Sequence, residues 1–242
     1  MAQPDTATTD DRLLDGRVLI RQPASGYRVA VDPVLLAAAT PASAGQRILD
    51  AGCGTGAAMF CLAARVPGAD VTGLEVQPAL AALASVGVGL NRLDSHARVI
   101  TGDLAEANLG PFDIVMTNPP FGDAGTPPPD ESLARAHMEG AIDLAGWIGR
   151  CLAALKPKGR LVLIHRADRL SDILAALAGS AGDIQIRPIY PKMGQAARRV
   201  IVDAGKGRRT PDTLLPGLVL HEDGGAFTPA ADAVLRGAAA LL

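Results

Sequence analysis

The tetrad Asn118-Pro119-Pro120-Phe121 is the strongest candidate for chemistry in this sequence. It follows the apolar run Phe112–Thr117, which we predict to be a buried strand. Two consecutive prolines remove two backbone donors and fix φ, and the first also keeps Asn118 out of the α region. The tetrad therefore forms a stiff bend with carbonyl oxygens, an amide side chain and an aromatic ring side by side. This set can hold a planar group that carries an NH₂; the alternative is a plain turn that ends the strand.

A glycine-rich segment, Asp50-Ala51-Gly52-Cys53-Gly54-Thr55-Gly56, lies where a predicted strand turns into a predicted helix. Glycine permits positive φ and lets a ligand lie against the backbone. In a doubly wound sheet this turn borders the crevice at the carboxyl ends of the strands, where ligands bind. The spacing of Gly52, Gly54 and Ala57 also fits the dinucleotide fingerprint loosely, so a dinucleotide and S-adenosylmethionine are both candidates.

Three acids that end successive predicted strands distinguish these two cofactors. Asp50 would face a pyrophosphate badly but suits the cationic ammonium end of S-adenosylmethionine. Glu75 could hold the ribose hydroxyls of either cofactor. Asp103 could accept a hydrogen bond from an adenine amine or, alternatively, cap a helix. Together the acids favour a positively charged adenosyl ligand, which Val76 and Leu104 are also predicted to contact.

The elements that must position these residues follow an alternating pattern in a chain of 242 residues. Short apolar, β-branched runs alternate with longer Ala/Leu-rich stretches, which indicates βαβ units and a mostly parallel sheet covered on both faces. The short link Pro191–Ala197 predicts that the last two strands form an antiparallel hairpin at the sheet edge. The predicted strands are Arg47–Ala51, Asp70–Glu75, Ala97–Thr101, Phe112–Thr117, Arg160–His165, Ile184–Tyr190 and Arg199–Ala204. The predicted helices are Ala57–Arg65, Pro78–Leu93, Ser132–Leu155, Asp168–Ala178 and Pro229–Leu241.

The segment before this pattern is predicted to form a small extension. Residues 1–11 are polar and acidic, which is typical of disorder. Residues 13–20 predict a hairpin around Asp15-Gly16, and Asp32-Pro33 predicts the N-cap and first position of a helix that ends at Ala39. The domain prediction is therefore a tail at 1–11, a hairpin and helix at 12–45, and one domain at 46–242.

Composition restricts the class of protein. The three cysteines form no CxxC pair and have no metal-ligand spacing with the histidines, so we predict a reducing compartment and no metal site. The start of the chain has no apolar signal region, and no apolar run approaches the ~20 residues of a membrane span. The net charge of −2 gives no overall nucleic-acid signal. We expect a cytoplasmic monomer or homodimer.

The glycine segment, Glu75, Asp103 and the Asn118 tetrad together resemble the class I S-adenosylmethionine-dependent methyltransferases, in the amino-methylating group with an Asn-Pro-Pro-Tyr/Phe motif. The resemblance covers about residues 20–205. It implies a Rossmann-like seven-stranded sheet, mostly parallel with an antiparallel seventh strand, and S-adenosylmethionine as cofactor with S-adenosylhomocysteine as product. In such a site Asn118 Oδ1 and the Pro119 carbonyl accept the two N–H bonds of the target amine, Pro120 stiffens the bend, and Phe121 stacks on the substrate plane.

Two segments indicate the substrate. Residues 22–36 resemble the segment that borders the cofactor in bacterial tRNA1(Val) adenine-37 N6-methyltransferases, which implies cofactor contacts for Gln22, Tyr27 and Asp32. Residues 187–209 hold seven basic residues and one acid, a local charge suited to phosphate contacts, although an ordinary solvated loop is an alternative. The predicted RNA contacts are Lys192, Arg198, Arg199, Lys206, Arg208 and Arg209.

The resulting prediction is an S-adenosylmethionine-dependent N6-adenine methyltransferase that acts on tRNA, with adenine 37 of tRNA-Val as the target that the resemblance implies. Three alternatives stay open. Two keep the chemistry and change the acceptor to a glutamine carboxamide of a protein or to an amino group of rRNA. The third is a non-catalytic nucleotide-binding module with a Rossmann-like sheet.

Overall fold

The computed structural model describes residues 7–26, 28–120 and 142–241. Within these ranges the chain forms strands and helices that alternate through its central part. The strands are β1 Thr8–Leu13, β2 Val18–Pro23, β3 Arg47–Ala51, β4 Asp70–Glu75, β5 Ala97–Thr101, β6 Phe112–Thr117, β7 Leu155–Arg166, β8 Ala181–Lys192, β9 Arg199–Lys206, β10 Thr213–Leu214 and β11 Leu218–His221. The helices are α1 Asp32–Ala39, α2 Ala57–Arg65, α3 Pro78–Leu90, α4 Leu144–Ala153, α5 Leu170–Leu177 and α6 Pro229–Leu235.

The main sheet has nine strands among the described residues, in the order β10-β8-β9-β7-β6-β3-β4-β5, with β11 also paired to β8. Strands β3 to β7 are parallel, and β9 is antiparallel to both β7 and β8. The predicted hairpin of the last two core strands is therefore confirmed. The prediction of seven strands is two short, because β10 and β11 extend the sheet beyond β8.

The strand order reverses between β3 and β6. From β3 the chain builds outward through β4 and β5, and then returns to place β6 on the other side of β3. Crossover connections to the two sides of one strand leave a crevice at the carboxyl ends, and ligands bind there in open α/β sheets. The fold therefore brings the end of β3 next to the end of β6, 66 residues later in the chain, as the pair Ala51–Thr117 shows.

Helices cover both faces of the sheet because the central strands are apolar on both faces. Successive residues of a strand point to opposite faces. Ile48 and Ile114 accordingly belong to the core beneath α1, α2, α3 and α6. Leu49 and Val115 belong to a second core beneath α4 and α5.

The N-terminal hairpin is more extensive than the sequence suggested. Strand β1 begins at Thr8, so the prediction of disorder is wrong for residues 8–11. The reason is pairing with β2, because Arg21 donates to both carboxylate oxygens of Asp10 at 2.7 Å. The turn is the predicted one, with positive φ at Leu14, Asp15 and Gly16, as tight hairpins require.

The hairpin packs on the main domain through Leu14, Val18 and Ile20, which are buried in the core, and its backbone is bound by one polar side chain at the α3 C-terminus. Asn91 Oδ1 accepts from the Leu19 amide at 2.8 Å, and Asn91 Nδ2 donates to the Leu19 carbonyl at 2.7 Å. These bonds satisfy the backbone of the outer edge of β2. The hairpin is thereby fixed to the helix that follows β4.

Several helix boundaries differ from the predictions. Helices α3 and α6 end earlier than predicted, at Leu90 and Leu235. Helix α4 begins after Asp143, which caps it by accepting from the Gly146 amide at 2.8 Å, and the predicted start at residue 132 lies outside the described residues. Asp32 is not the N-cap of α1, because Val31 holds that position. No helix in the described ranges is long and apolar enough to cross a membrane.

Candidate functional site

A cleft lies at the carboxyl ends of β3, β4, β5 and β6. It encloses about 1110 Å³, counting the part that is open to solvent. The glycine segment, the three acids and the Asn118 tetrad were predicted separately from distant parts of the sequence, and the fold brings them to this one cleft. It is lined by Pro33, Asp50, Gly52, Cys53, Gly54, Ala57, Ala58, Leu74, Glu75, Val76, Gln77, Leu80, Gly102, Asp103, Leu104, Asn118, Pro119, Pro120 and Trp147.

The glycine segment forms the floor of the cleft. Gly52 and Gly54 have φ of +74° and +56°, values that residues other than glycine rarely adopt. The amides of Gly52 and Cys53 both donate to the Leu74 carbonyl, at 2.8 and 3.0 Å, and this ties the loop to β4. Gly56 has φ of +90° at the start of α2 and does not line the cleft, so its predicted cofactor contact is not found.

Two buried carboxylates stand above this floor. Asp50 is only 2% exposed, and its Oδ2 accepts from the Met59 amide at 3.1 Å. Burial and, to a smaller degree, the nearby Glu75 carboxylate raise the pKa of Asp50 to about 7, although the Met59 amide acts in the opposite direction. Burial also raises the pKa of Glu75, although its oxygens accept from the amides of Gly54 and Gln77 at 2.8 and 2.9 Å.

The third acid also lies at the cleft, where its contact with an adenine amine stays a prediction. Asp103 lines the cleft, and its Oδ1 accepts from the Ala105 amide at 2.8 Å, so the side chain also caps the turn that follows β5. Val76 and Leu104, the neighbours of the second and third acids, line the cleft as predicted.

The cleft has a strongly one-sided charge. Its described lining contains three acids and no lysine or arginine. Buried carboxylates without a counter-charge are costly, so this lining is complementary to a cationic ligand. A pyrophosphate would add negative charge to the same space, and the dinucleotide alternative is disfavoured for that reason.

The tetrad forms the opposite wall. Pro119 is buried and Pro120 is exposed, and both line the cleft. Asn118 Oδ1 is buried and accepts no hydrogen bond within the described part of the chain. A buried acceptor without a donor lowers stability by about 1–3 kcal/mol. A hydrogen-bond donor on a ligand would remove this cost. Phe121 and Tyr27 lie outside the described residues, and their roles stay predictions.

A hydrogen-bonded chain that sequence reasoning missed holds the tetrad in place. Trp147 Nε1 on α4 donates to Thr117 Oγ1 at 3.0 Å, and Thr117 Oγ1 donates to the Ala51 carbonyl at 2.7 Å. The ring of Trp147 also lies so close to Gly52 that an added Cβ would be 3.1 Å from it. The signal in the sequence was slight: Trp147 is the only tryptophan of the chain.

Two predicted cofactor residues are turned away from the cleft. Gln22 Oε1 accepts from the Val29 amide at 2.9 Å, and its Nε2 donates to Asp11 at 2.7 Å. Asp32 accepts from Arg199 Nε at 2.8 Å. Neither side chain lines the cleft. Gln22 instead holds the segment that precedes α1, and Asp32 ties the first residue of α1 to β9. Pro33, the second residue of α1, does line the cleft.

The basic residues of the tail do not form the single patch that the sequence suggested. Lys192, Arg198 and Arg199 lie at the end of the sheet that carries the cleft, because β9 starts there. Lys206, Arg208 and Arg209 lie at the opposite end, about 24 Å away for seven residues of extended strand. The prediction of one patch is wrong because the two groups lie at opposite ends of the eight-residue strand β9.

The described residues contain no group of three or more His, Cys, Asp or Glu side chains placed to hold a metal ion. The three cysteines are buried and unpaired. Burial raises the pKa of each thiol, and for Cys53 the neighbouring carboxylates of Asp50 and Glu75 add to the effect.

Comparison with known proteins gives three close similarities. A family model described as the methyltransferase small domain matches residues 28–180. A tRNA1(Val) (adenine(37)-N6)-methyltransferase of Porphyromonas gingivalis is 35% identical over 164 residues, which cover 64% of each chain. A release factor glutamine methyltransferase of Deinococcus radiodurans is 34% identical over 151 residues, which cover 59% of this chain and 53% of that protein. The aligned regions thus span under two thirds of both relatives.

A solved structure resembles the whole fold. The crystal structure of a predicted O-methyltransferase from Agrobacterium tumefaciens has 32% sequence identity and a TM-score of 0.72, and the match covers 86% of this chain and 97% of that one. The similarity therefore extends beyond the segment matched by the family model.

We expect Asp50→Asn to stabilise the protein in the absence of ligand, most strongly above neutral pH. The folded state raises the Asp50 pKa from 3.8 to about 7, so it binds this proton more tightly than the unfolded chain does. Ionisation of Asp50 therefore lowers stability as the pH rises from about 4 to about 7, by at most about 1.4 kcal/mol per pH unit. Asparagine cannot ionise and can still accept from Met59.

Urea denaturation at pH 5 and pH 8 measures this effect. The free energy of unfolding of the variant should exceed that of the wild type by more at pH 8 than at pH 5. Asp94→Asn, at an exposed position, controls for the loss of one negative charge. If the free energies of unfolding of variant and wild type differ by the same amount at both pH values, the Asp50 carboxylate is not a buried, destabilising charge.

We expect Thr117→Val to disturb the cleft and Thr117→Ser to leave it intact. Thr117 is fully buried, and valine has no acceptor for the Trp147 indole N–H. An unsatisfied buried donor costs about 1–3 kcal/mol. Because Trp147 is the only tryptophan, its fluorescence reports directly on this site: the emission should shift in the valine variant and match the wild type in the serine variant. Unchanged emission in both would exclude a role for Thr117 in holding the indole.

Proposed function

The chain belongs to the methyltransferase small domain family, and from this premise we propose that it transfers a methyl group from S-adenosylmethionine to the exocyclic N6 amine of an adenine in tRNA. The observation that carries the proposal is the buried Oδ1 of Asn118, which has no hydrogen-bond partner among the described residues and lies beside an acidic cleft. The first feature suits an amine as acceptor, and the second suits a cation as donor.

The residues of the cleft fit this cofactor. Asp50 would hold the ammonium group, and this contact would favour the ionised carboxylate that burial disfavours in its absence. Glu75 would hold the ribose hydroxyls with the lone pairs that its two backbone donors leave. Asp103 would accept from the adenine amine, and the glycines admit the ligand close to the backbone. When bound, S-adenosylmethionine supplies a methyl group activated on a sulfonium.

The tetrad would act on the acceptor amine. The lone pair of an amine on a conjugated ring is delocalised, which makes it a poor nucleophile. Asn118 Oδ1 and the Pro119 carbonyl accept its two N–H bonds, and so favour a tetrahedral nitrogen with its lone pair directed into the cleft. Positioning and directed hydrogen bonds then supply most of the catalysis. The nitrogen releases its extra proton after transfer, so the step needs no dedicated base.

Two observations favour tRNA over a protein substrate. The relative named as a tRNA1(Val) adenine methyltransferase aligns over slightly more of the chain than the release factor methyltransferase does. The sheet edge beside the cleft also carries several arginines, which suit a phosphate backbone better than a neutral peptide. RNA is usually recognised at unpaired bases, which an open cleft can admit. A tRNA substrate would place the protein in the cytoplasm.

Substrate identity is tested by incubating the protein with labelled S-adenosylmethionine and either unmodified tRNA or unmodified release factor. We expect label in the RNA, and N6-methyladenosine as the modified nucleoside by mass spectrometry. Label confined to a glutamine of the release factor would overturn the RNA assignment while retaining the chemistry. Label on a ribose or protein hydroxyl would overturn the assignment of an amine acceptor.

We expect Asn118→Ala to lower methyl transfer by about 10²–10³-fold, as the loss of one directed hydrogen bond at a reacting centre does elsewhere. Its affinity for S-adenosylhomocysteine, measured by calorimetry, should change by less than about threefold, because Asp50, Glu75 and Asp103 are retained. Its stability should be unchanged or higher, since alanine removes an unsatisfied buried oxygen.

Asn118→Asp is the matched variant. It keeps the size of the side chain and an acceptor oxygen at the same place, so it should retain much more activity than alanine. Equal loss in both variants, or turnover near that of the wild type in Asn118→Ala, would refute the proposed role of the amide oxygen.

A further inference from the structure

Four arginines gather at the edge of the sheet next to the cleft. Arg166 ends β7, Arg169 lies in the 3₁₀ turn Ala167–Arg169 that follows, and Arg198 and Arg199 begin β9. Direct contacts join these segments, because Arg166 pairs with Arg199 in the β7–β9 register and the Ala167 amide donates to the Arg198 carbonyl at 3.1 Å. We call this group the arginine edge.

The electrostatics around His165 show how close these charges are. His165 precedes Arg166 in β7, and its side chain is buried, with 2% of its surface exposed. Its pKa is lowered to about 4, first by burial and then by the positive charges of Arg169, Arg166 and Arg199. Three guanidinium groups therefore act on one ring, and the imidazole itself is neutral at physiological pH.

Three acids among the described residues pair with the arginine edge: the largely buried Asp32 holds Arg199 at 2.8 Å, whereas the other two hold their arginines only loosely. Asp168 pairs with Arg166 and Asp172 with Arg169, and the two carboxylates are 59% and 54% exposed. Exposed ion pairs of this kind contribute little to stability, so a phosphate can replace the carboxylate at small cost. Arg198 is exposed, and no described side chain pairs with it.

The arginine edge lies at the right distance from the Asn118 wall. Thr117 pairs with Leu163, so Arg166 lies on the adjacent strand at the level of Pro120. Strand β9 is one strand further, about 10 Å from β6 at the usual spacing of 4.8 Å per strand. The phosphates on either side of a nucleotide whose base enters the cleft would reach this distance.

The rival surface is the opposite end of the sheet, where Lys156, Lys158, Lys206, Arg208 and Arg209 lie. It carries five basic residues, the same number as the cleft end when Lys192 is counted with the arginine edge. However, Lys156 Nζ donates to Asp113, Lys206 Nζ donates to the Leu155 carbonyl, and Arg208 pairs with Asp183. It also lies about 24 Å from the arginine edge along β9, so it cannot contact the phosphates next to the target base.

We propose that the arginine edge, formed by Arg166, Arg169, Arg198 and Arg199, binds the RNA phosphates that flank the methylated nucleotide, and that the far end of the sheet does not. The inference rests on the proposed function for the position of the target base. It adds Arg166 and Arg169 to the basic residues that the sequence indicated, and it separates Arg208 and Arg209 from them.

Two double variants with the same change in net charge test the proposal. Arg169→Gln with Arg198→Gln alters the arginine edge, and Arg208→Gln with Arg209→Gln alters the far end. Each is compared with the wild type for binding to an unmodified tRNA-Val transcript at several salt concentrations, and for methyl transfer to the same RNA. Calorimetry with S-adenosylhomocysteine confirms an intact cofactor site in each.

The arginine-edge variant should bind the transcript at least about tenfold more weakly and reduce the slope of log affinity against log salt by roughly 1.4–1.8, the value for two lost phosphate contacts. The far-end variant should stay within about twofold of the wild type. Equal losses in the two variants, a larger loss at the far end, or a wild type that does not bind the transcript would overturn the proposal.

The two levels of inference fail differently. If the wild type methylates the transcript and the two variants bind alike, the arginine-edge assignment fails and the proposed function stands. If the wild type binds but does not methylate, and only the arginine-edge variant binds weakly, the surface assignment stands and the proposed reaction fails.

Discussion

The burial of two carboxylates at the end of a parallel sheet is the constraint on which the rest of the site depends. Asp50 and Glu75 are almost completely removed from solvent, and no basic residue lines the described cleft beside them. The fold offsets part of this cost with backbone amides, from Met59 to Asp50 and from Gly54 and Gln77 to Glu75. These bonds also explain the local backbone: the glycine loop must pass close enough to present its amides, and glycine adopts the positive φ that this requires without a steric cost. A cationic ligand would supply the counter-charge that the protein lacks.

The opposite wall depends on the same crossing point. Thr117 joins the end of β6 to the end of β3 through the Ala51 carbonyl, and Trp147 of α4 joins that hydroxyl and lies against Gly52. One buried hydroxyl thus connects the tetrad, the glycine loop and the second helical layer. The rigidity of Asn118-Pro119-Pro120 would be of little use if the preceding residue could move. The fixed backbone also prevents the Asn118 side chain from turning toward another donor, so its oxygen stays without a hydrogen bond within the described residues.

The substrate side of the molecule follows from strand direction. Strand β9 crosses the sheet from the end that carries the cleft to the opposite end, so the basic residues at its start and those at and after its last residue lie far apart. Basic residues that are neighbours in the sequence are therefore divided into one group beside the cleft and one far from it. The arginines that end β7 join the first group, although they precede Arg198 by some thirty residues. Charge in a linear segment is a poor guide to charge on a surface when the segment is a β-hairpin.

The sequence by itself determined the sheet, the glycine loop, the three acids and the tetrad, because strand periodicity and special backbone requirements are local properties. It also indicated the antiparallel hairpin from the length of its link. Tertiary structure alone decided which side chains reach the cleft. Gln22 bonds to Val29 and Asp32 bonds to Arg199, so neither side chain lines the cleft. Trp147 does line it, from a helix to which the sequence pattern assigned no site residue. The residues 8–11 that looked disordered are ordered by their partner strand. The partners of Asp32 and Trp147 are distant in the sequence, and a hydrogen bond between distant residues leaves no trace in local composition.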